Sequence, residues 1–358
     1  MSLDKNELLK LMKLAANADK TSPVAYAYGE EKFSYTELNE AVRNELAELG
    51  GTYNLYRQNK NTIFELIESV IDDVLPKKVL DQYGMFADVQ TVAQGDKPIF
   101  RQRITQASRD RAKAFVTKVG LAGIYEVFKL DGQTVTIETM AYGGAAQIGL
   151  EEFLDGRITF ADVLDIVLVG LDEAVYKEIA KALVSTITNL PSANKVTTTS
   201  FDEATMDRLV QIADAYGQSN IYCTYEFAAT MVPSTGWSVM SDDQKNTMWN
   251  VGYLANYKAH RVIVLPQSYE ADASGNVNEV KVIDPSYAWV LPTGVDKPVK
   301  IAFEGQTITR EYENRDGSRE IHVYKKIGVG TLVTNNIGSY RNTSLVADWS
   351  YDSNGVAS

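Results

Sequence analysis

The sequence predicts an α+β fold, and three observations carry that prediction. Helical periodicity marks the chain up to Pro76, one apolar stripe from Thr159 to Asn189 outruns the average helix, and short β-like runs crowd the chain after Val280. In the stripe Leu164, Val167, Leu168, Leu171, Val175, Ile179, Ala182, Leu183 and Thr186 recur at spacings of three and four, one side of a helix. Thr159 is placed to accept the first free amides, and Asp162 suits the positive end of the dipole. The 29 residues from Phe160 to Thr188 would make a rod of about 43 Å. Gly170 costs it about 1 kcal/mol against alanine and marks a candidate bend.

Ahead of this rod the periodicity predicts three short helices. Leu8, Leu11, Met12 and Leu14 define the first; Ser34 with Glu37 forms a capping box ahead of Leu38, Val42, Leu46 and Leu49; Thr62 with Glu65 does the same ahead of Ile63, Ile67, Val70 and Val74. Gly50-Gly51 and Pro76 stop the second and third, and Thr21 to Pro23 and Tyr53 to Asn61 read as polar connectors. So little apolar content in about 60 residues is marginal alone, so the segment reads as an arm lying on something else, or as a subdomain packed on its own chain.

Runs at Ile99 to Thr105 and Gln133 to Thr139 read as β on either side of a charged middle, with Asp131-Gly132 a tight-turn signal between Tyr125-Glu126-Val127-Phe128 and Val135-Thr136-Ile137. Over 96–118, Lys97, Arg101, Arg103, Arg109, Arg111, Lys113 and Lys118 stand against two acids, a net of +5. Over 150–178, Glu151, Glu152, Asp155, Asp162, Asp165, Asp172, Glu173 and Glu178 stand against two cations, a net of −6. The blocks are complementary, and they meet within one molecule, stand as two solvated faces, or mate between copies.

After the rod, Pro191 to Thr199 reads as a polar linker and Ser200 with Glu203 as the cap of a helix carrying Met206, Leu209, Val210 and Ala213. Ile221, Cys223, Tyr225 and Phe227 alternate with polar neighbours as a half-buried strand, Ser241 with Gln244 caps a short helix, and His260 to Leu265 suits a central strand. Strands follow at 280–283, 287–291, 299–303, 307–312, 321–327 and 330–334, with a turn at Asn314 to Gly317 and a polar tail from Ser344.

Composition bounds the function. The 358 residues suit about two domains, and a net charge of −12 argues against a duplex-binding surface. Cys223 is the only cysteine, which removes intrachain disulfides and cysteine zinc sites; without a signal peptide or an 18-residue apolar run, the chain is expected to be soluble and cytoplasmic. His260 and His322 sit in apparent strands with no catalytic partner at a recognisable spacing, and Cys223 reads as a buried thiol. Gly328-Val329-Gly330 lacks the rest of a dinucleotide loop and reads as a bulge or turn between strands; no phosphate loop appears. The chain is therefore not expected to be an enzyme, nor to need a cofactor or metal.

The order of elements, a helical arm, a long basic hairpin, a spine helix, a mixed α/β region and late strands returning to the spine, resembles the major capsid protein of tailed bacteriophages over about residues 60–345. That fold is shared with encapsulin shells. The run Gly252-Tyr253-Leu254 through His260-Arg261-Val262-Ile263-Val264-Leu265-Pro266 is similar to the axial-domain segment in which a helix leads into a central strand. The resemblance implies an N-terminal arm with lead-in helices at 1–95, an extended loop at 96–140, a peripheral domain of 141–199 and 308–345, an axial domain of 200–307 and a tail at 346–358. It implies a chain that assembles with itself into pentamers and hexamers of an icosahedral head around double-stranded DNA, with scaffolding, portal and decoration proteins as partners, no membrane, and assembly in the bacterial cytoplasm. Candidate inter-subunit residues are Arg101, Arg103, Arg109, Arg111 and Lys113 on one block and Glu151, Glu152, Asp155, Asp162 and Asp165 on the other. The start at Met1 leans against removal of an N-terminal scaffold segment, and no crosslinking residue or protease site is assigned. The alternatives are an encapsulin-type compartment and a soluble α+β enzyme or carbohydrate-binding protein using its tyrosines.

Overall fold

The computed structural model describes residues 4–18, 26–28, 31–102, 133–148, 160–215, 217–231, 241–270, 276–277, 280–294, 297–314, 319–333 and 336–345. Helices α1 (Lys5–Ala16), α2 (Tyr35–Gly50) and α3 (Tyr53–Tyr83) open the chain, with the small hairpin β1 (Tyr26–Tyr28) and β2 (Glu31–Phe33) between the first two. The Ser34–Glu37 capping box is present in full on α2. The third helix departs from the sequence expectation: it starts at the Thr52 cap, takes in the supposed connector from Tyr53, and continues through Pro76 to Tyr83 as a helix of 31 residues. Burial explains the continuation. Proline inside a helix costs about 3 kcal/mol, whereas Val74, Leu75 and Val79 are buried around it at about 1.5–3 kcal/mol each.

Strands β3 (Ala87–Val92), β6 (Met140–Ile148), β14 (Val299–Glu313) and β15 (Arg319–Thr331) form a four-stranded sheet in the order β3-β14-β15-β6. The separate runs 299–303 and 307–312 are one strand, β14, with a register shift between Glu304 and Ile308, where Gly305 has φ +68°. The runs 321–327 and 330–334 likewise merge in β15. Helix α4 (Phe160–Asn189) matches the predicted rod, with Val167, Leu168, Leu171, Val175, Ile179, Leu183 and Thr186 buried on the predicted side. It packs on β15, β6, β14, α2 and α3, and α1, α2 and α3 bury Leu8, Leu11, Met12, Leu38, Val42 and Leu46 in the same core. Helices α1, α2 and α3 thus pack on their own chain.

Helix α3 does more than cover the sheet. β3 pairs with β14 only from Val299 to Glu304, so the β14 amides beyond it lack a strand partner on that side. Carboxylates of α3 replace the strand: Asp72 accepts from the Thr307 amide at 2.9 Å and hydroxyl at 2.5 Å, Glu68 accepts from the Thr309 amide at 2.7 Å, and Lys60 reaches Glu311 at 3.3 Å. The repeats coincide, since four helical residues advance about 6 Å and two strand residues about 6.6 Å. Lys325, 1% exposed, closes the joint by donating to Asp72 at 2.5 Å and to the Gly305 carbonyl at 2.7 Å.

The second sheet follows the order β7-β16-β13-β8-β10-β9, built from β7 (Lys195–Thr198), β8 (Ser219–Cys223), β9 (Asn256–Tyr257), β10 (His260–Val264), β13 (Tyr287–Pro292) and β16 (Gly338–Asn342). The supposed linker at Pro191–Thr199 therefore holds β7, which pairs in parallel with β16. Helix α5 (Glu203–Asp214) is capped by Asp202, two residues past the expected Ser200, through the Thr205 amide. The expected strand through Phe227 ends at Cys223, because the Thr224 hydroxyl accepts from the Phe227 amide and starts the short helix α6 (Tyr225–Thr230). Helix α7 (Asp242–Val251) follows Ser241, and β11 (Tyr269–Glu270) pairs with β12 (Val280–Lys281).

Strand β8 is buried on both faces from Ile221 to Cys223 rather than half-buried, because this sheet separates two cores. Ile221, Cys223, Ala288 and Val290 face the α5 and α6 side, while Tyr222, Trp289 and Leu291 join the core of α1–α4. Alternation along the strand sorts side chains between two apolar layers instead of between protein and water. The Asp131-Gly132 turn, the Asn314 to Gly317 turn beyond Asn314, and the tail past Leu345 lie outside the described residues.

Candidate inter-subunit surfaces

Strands β4 (Ile99–Gln102) and β5 (Gln133–Thr136) pair antiparallel, Ile99 opposite Thr136 and Gln102 opposite Gln133, and form the stem of the predicted hairpin. Its root is fastened at both ends by one carboxylate. Glu304 accepts from the Gly95 amide at 3.0 Å, from Lys326 at 2.9 Å and from the Thr139 hydroxyl. The Thr139 bond first, then Lys326 and Gly95, hold its pKa down at about 2. Next to it the Ile137 amide donates to the Pro98 carbonyl at 3.2 Å, and the Ile137 side chain is buried. Gly328 and Gly330 make room for this segment: a Cβ on Gly328 would stand 2.6 Å from the Glu138 carbonyl oxygen, and one on Gly330 would lie 3.3 Å from Ile137. The expected bulge or turn at these glycines is instead an in-register stretch of β15, paired with β14, on which the root lies. Lys300, ion-paired with Asp88, sits 5.6 Å over the Phe100 ring and fixes the near strand.

Of the predicted basic block, Arg101 is exposed on β4; Arg103, Arg109, Arg111 and Lys113 lie outside the described residues. Of the acidic block, Glu151, Glu152 and Asp155 also lie outside them, and Asp162 and Asp165 fall in the first turns of α4. The later acids of that block find partners in their own chain. Asp172 pairs with Lys78 of α3 at 3.2 Å, Glu173 accepts from Ser268 at 2.7 Å, and Glu178 pairs with Lys181 at 3.0 Å and takes a bond from Tyr142. Among the described residues, no ion pair joins the two blocks. Sequence reasoning also missed Glu304, Asp72 and Lys325, the polar groups that fix the root and α3. For Glu304 and Lys325 the one available signal was a charge within a strand that carries apolar residues; Asp72, on α3, gave none.

The histidines do acquire carboxylates through the fold. His260 Nε2 lies 3.1 Å from Asp214 Oδ2 and its Nδ1 lies 3.0 Å from the Ser219 carbonyl, while the buried Ser219 hydroxyl donates to Asp214 Oδ1 at 3.0 Å. The Ser219 hydroxyl also lies 3.5 Å from His260 Nδ1, and the cluster ties β8, β10 and α5 together. His322 lies 3.2 Å from Glu320 and meets the Tyr312 ring edge-on at 4.8 Å. Burial pushes the Cys223 thiol up to about 12, as for a structural cysteine. Among the described residues no group of three histidine, cysteine or acidic side chains is placed to hold a metal, and no helix is long and apolar enough to cross a membrane.

A spine helix laid on a sheet, a fastened hairpin stem and a second, two-faced sheet are the parts of a phage-type capsid protein. The capsid of the cyanophage P-SCSP1u has this fold, superposing with a TM-score of 0.50 at 10% identity over 73% of this chain and 87% of that chain. The mature capsid of bacteriophage PhiM1 matches at 8% identity and a TM-score of 0.47 over 73% and 86%, and the virus-like particle from Pyrococcus furiosus at 13% and 0.43 over 78% and 99%. No curated protein sequence matches. The family model described as "SPbeta prophage-derived putative capsid protein YonB" matches residues 10–341, and the chain belongs to that family.

Proposed function

We propose that the chain is the major structural protein of a tailed-phage head, assembling into pentamers and hexamers that close an icosahedral shell around double-stranded DNA. Membership of the capsid family over residues 10–341 is the observation that carries this reading. The fastened stem supports it: a hairpin whose root is held by Glu304 and seated on two glycines is built to project in a fixed direction, and it carries the exposed Ile99 and Arg101. Rings of such copies bury heterologous contacts, which for obligate assemblies exceed about 2,000 Å². A net charge of −12 suits a shell that must not stick to packaged phosphates. Scaffolding, portal and decoration proteins are the expected partners, and bacterial cytoplasm the expected place of assembly.

Light scattering with electron microscopy on purified protein tests the reading. Closed particles of tens of nanometres, or capsomers, are expected, and a stable 39.6 kDa monomer across concentrations would sink it. Reversing charge at Arg101, Arg103 and Arg109 is expected to abolish particles while leaving the circular dichroism of the subunit unchanged.

A further inference from the structure

The turn between β9 and β10 carries backbone strain. Tyr257 pairs with His260, so Lys258 and Ala259 alone make the turn, at φ +45° and +74°. A two-residue hairpin turn of this hand needs positive φ at both positions and is normally Asn-Gly, because a Cβ in that conformation crowds the following carbonyl. Helix α5 supplies the hold. Glu203, Asp207 and Asp214 fall within about 40° of one another around it, an acidic stripe on one face. Each acid of the stripe takes a group of the hairpin: the Lys258 ammonium lies 2.7 Å from Glu203 and also pairs with Asp207, the Tyr257 hydroxyl donates to Asp207 Oδ1 at 2.8 Å, and His260 Nε2 lies 3.1 Å from Asp214. Glu203 and Asp207 stand one turn apart and repel each other unless the ammonium sits between them. That bridge is at the surface, with Lys258 48% exposed, so salt can screen it.

We infer that the β9–β10 hairpin is a strained strap, clasped on α5 by Lys258 and released when that clasp is screened or removed. Strain in the turn favours the lifted state and the acidic stripe favours the closed one, so the opening free energy is the difference between them and responds to ionic strength. The Val262 amide, which donates to the Ala255 carbonyl at 2.9 Å just ahead of β9, is freed when the strap lifts. The edge of β10 from His260 to Val262 then loses its partner and becomes an open strand edge. The strap belongs to the single subunit and does not depend on the shell reading above.

Amide hydrogen exchange on the full chain, in about 0.05 M and about 0.5 M sodium chloride, tests this. The Val262 amide is expected to exchange about threefold faster at the higher salt, while the Thr307 and Thr309 amides, bonded to Asp72 and Glu68, change by less than about 1.5-fold. Lys258→Gln is expected to speed the Val262 amide about fivefold at low salt and to remove its response to salt. Ala259→Gly relieves the turn and is expected to slow the same amide about threefold. A Val262 amide that ignores salt in the unaltered chain, or that speeds up no more than Thr307 and Thr309, overturns the strap. Faster exchange in Ala259→Gly overturns the strain that loads it.

Discussion

Helices α3 and α4 have nearly equal lengths, lie on the same core and are held by different physics. The buried side chains of α4 form one stripe from Val167 to Leu183, and its polar contacts, such as Asp172 with Lys78 and Glu173 with Ser268, join side chains rather than the amides of a strand. Helix α3 has an apolar stripe as well, from Tyr56 to Tyr83, but it adds a row of polar side chains that stand in for a missing strand along β14. A helix can satisfy a sheet edge when its four-residue repeat falls in step with the two-residue repeat of the strand. In return, such a helix gains directional anchors that fix its register, which an apolar stripe alone specifies more loosely.

The contrast breaks most sharply at Asp72. Asp72→Ala leaves Lys325 buried without its carboxylate and the Thr307 amide without an acceptor, and a loss of about 4 kcal/mol is expected in denaturant unfolding. Adding Lys325→Met should return most of that loss; if the double variant is no better than the single one, the amide bonds and not the ion pair hold the joint. On α4, Leu183→Ala is expected to cost about 3 kcal/mol by cavity formation, while Ile166→Ala on the exposed side costs under about 0.5. Pro76→Ala should raise stability by about 1 kcal/mol, since the helix already runs through the position and regains an amide donor to Asp72. A thermal scan that falls instead would mean that the ring packs better than the methyl.

The smallest effect lies at the hairpin root and appears only in acid. The folded pKa of Glu304, about 2, is below its ordinary 4.5, so its contribution is complete above pH about 4.5 and fades as pH falls toward 2. Glu304→Gln should flatten that limb of the stability curve and leave the neutral region little changed. A stability difference between the two proteins that stays constant from pH 5 to pH 2 would show that the carboxylate charge is not what holds the root.

What could be read from the chain was whatever a local repeat encodes. The α4 stripe, the Ser34–Glu37 capping box, the runs that pair as β4 and β5, and the succession of late strands were all visible, because each rests on neighbours within one or two turns. The errors fell where a distant partner overruled a local signal. Pro76 reads as a stop until Val74 and Val79 are seen to be buried on either side, and Gly328-Val329-Gly330 reads as a break until the Ile137–Thr139 segment is laid on it. Ile221-Tyr222-Cys223 reads as half-wet until both faces of its sheet prove covered.

By itself the sequence determined the fold class, the long helix, the stem of the hairpin and the charge asymmetry between two segments, since periodicity and composition are properties of a one-dimensional string. Only the tertiary structure decided which charges are anchors. Lys325, Asp72 and Glu304 are ordinary surface residue types in the string, and they become joints because the fold buries Lys325 and Glu304 and sets all three against backbone groups and opposite charges, where an unmet charge is costly and a met one fixes geometry.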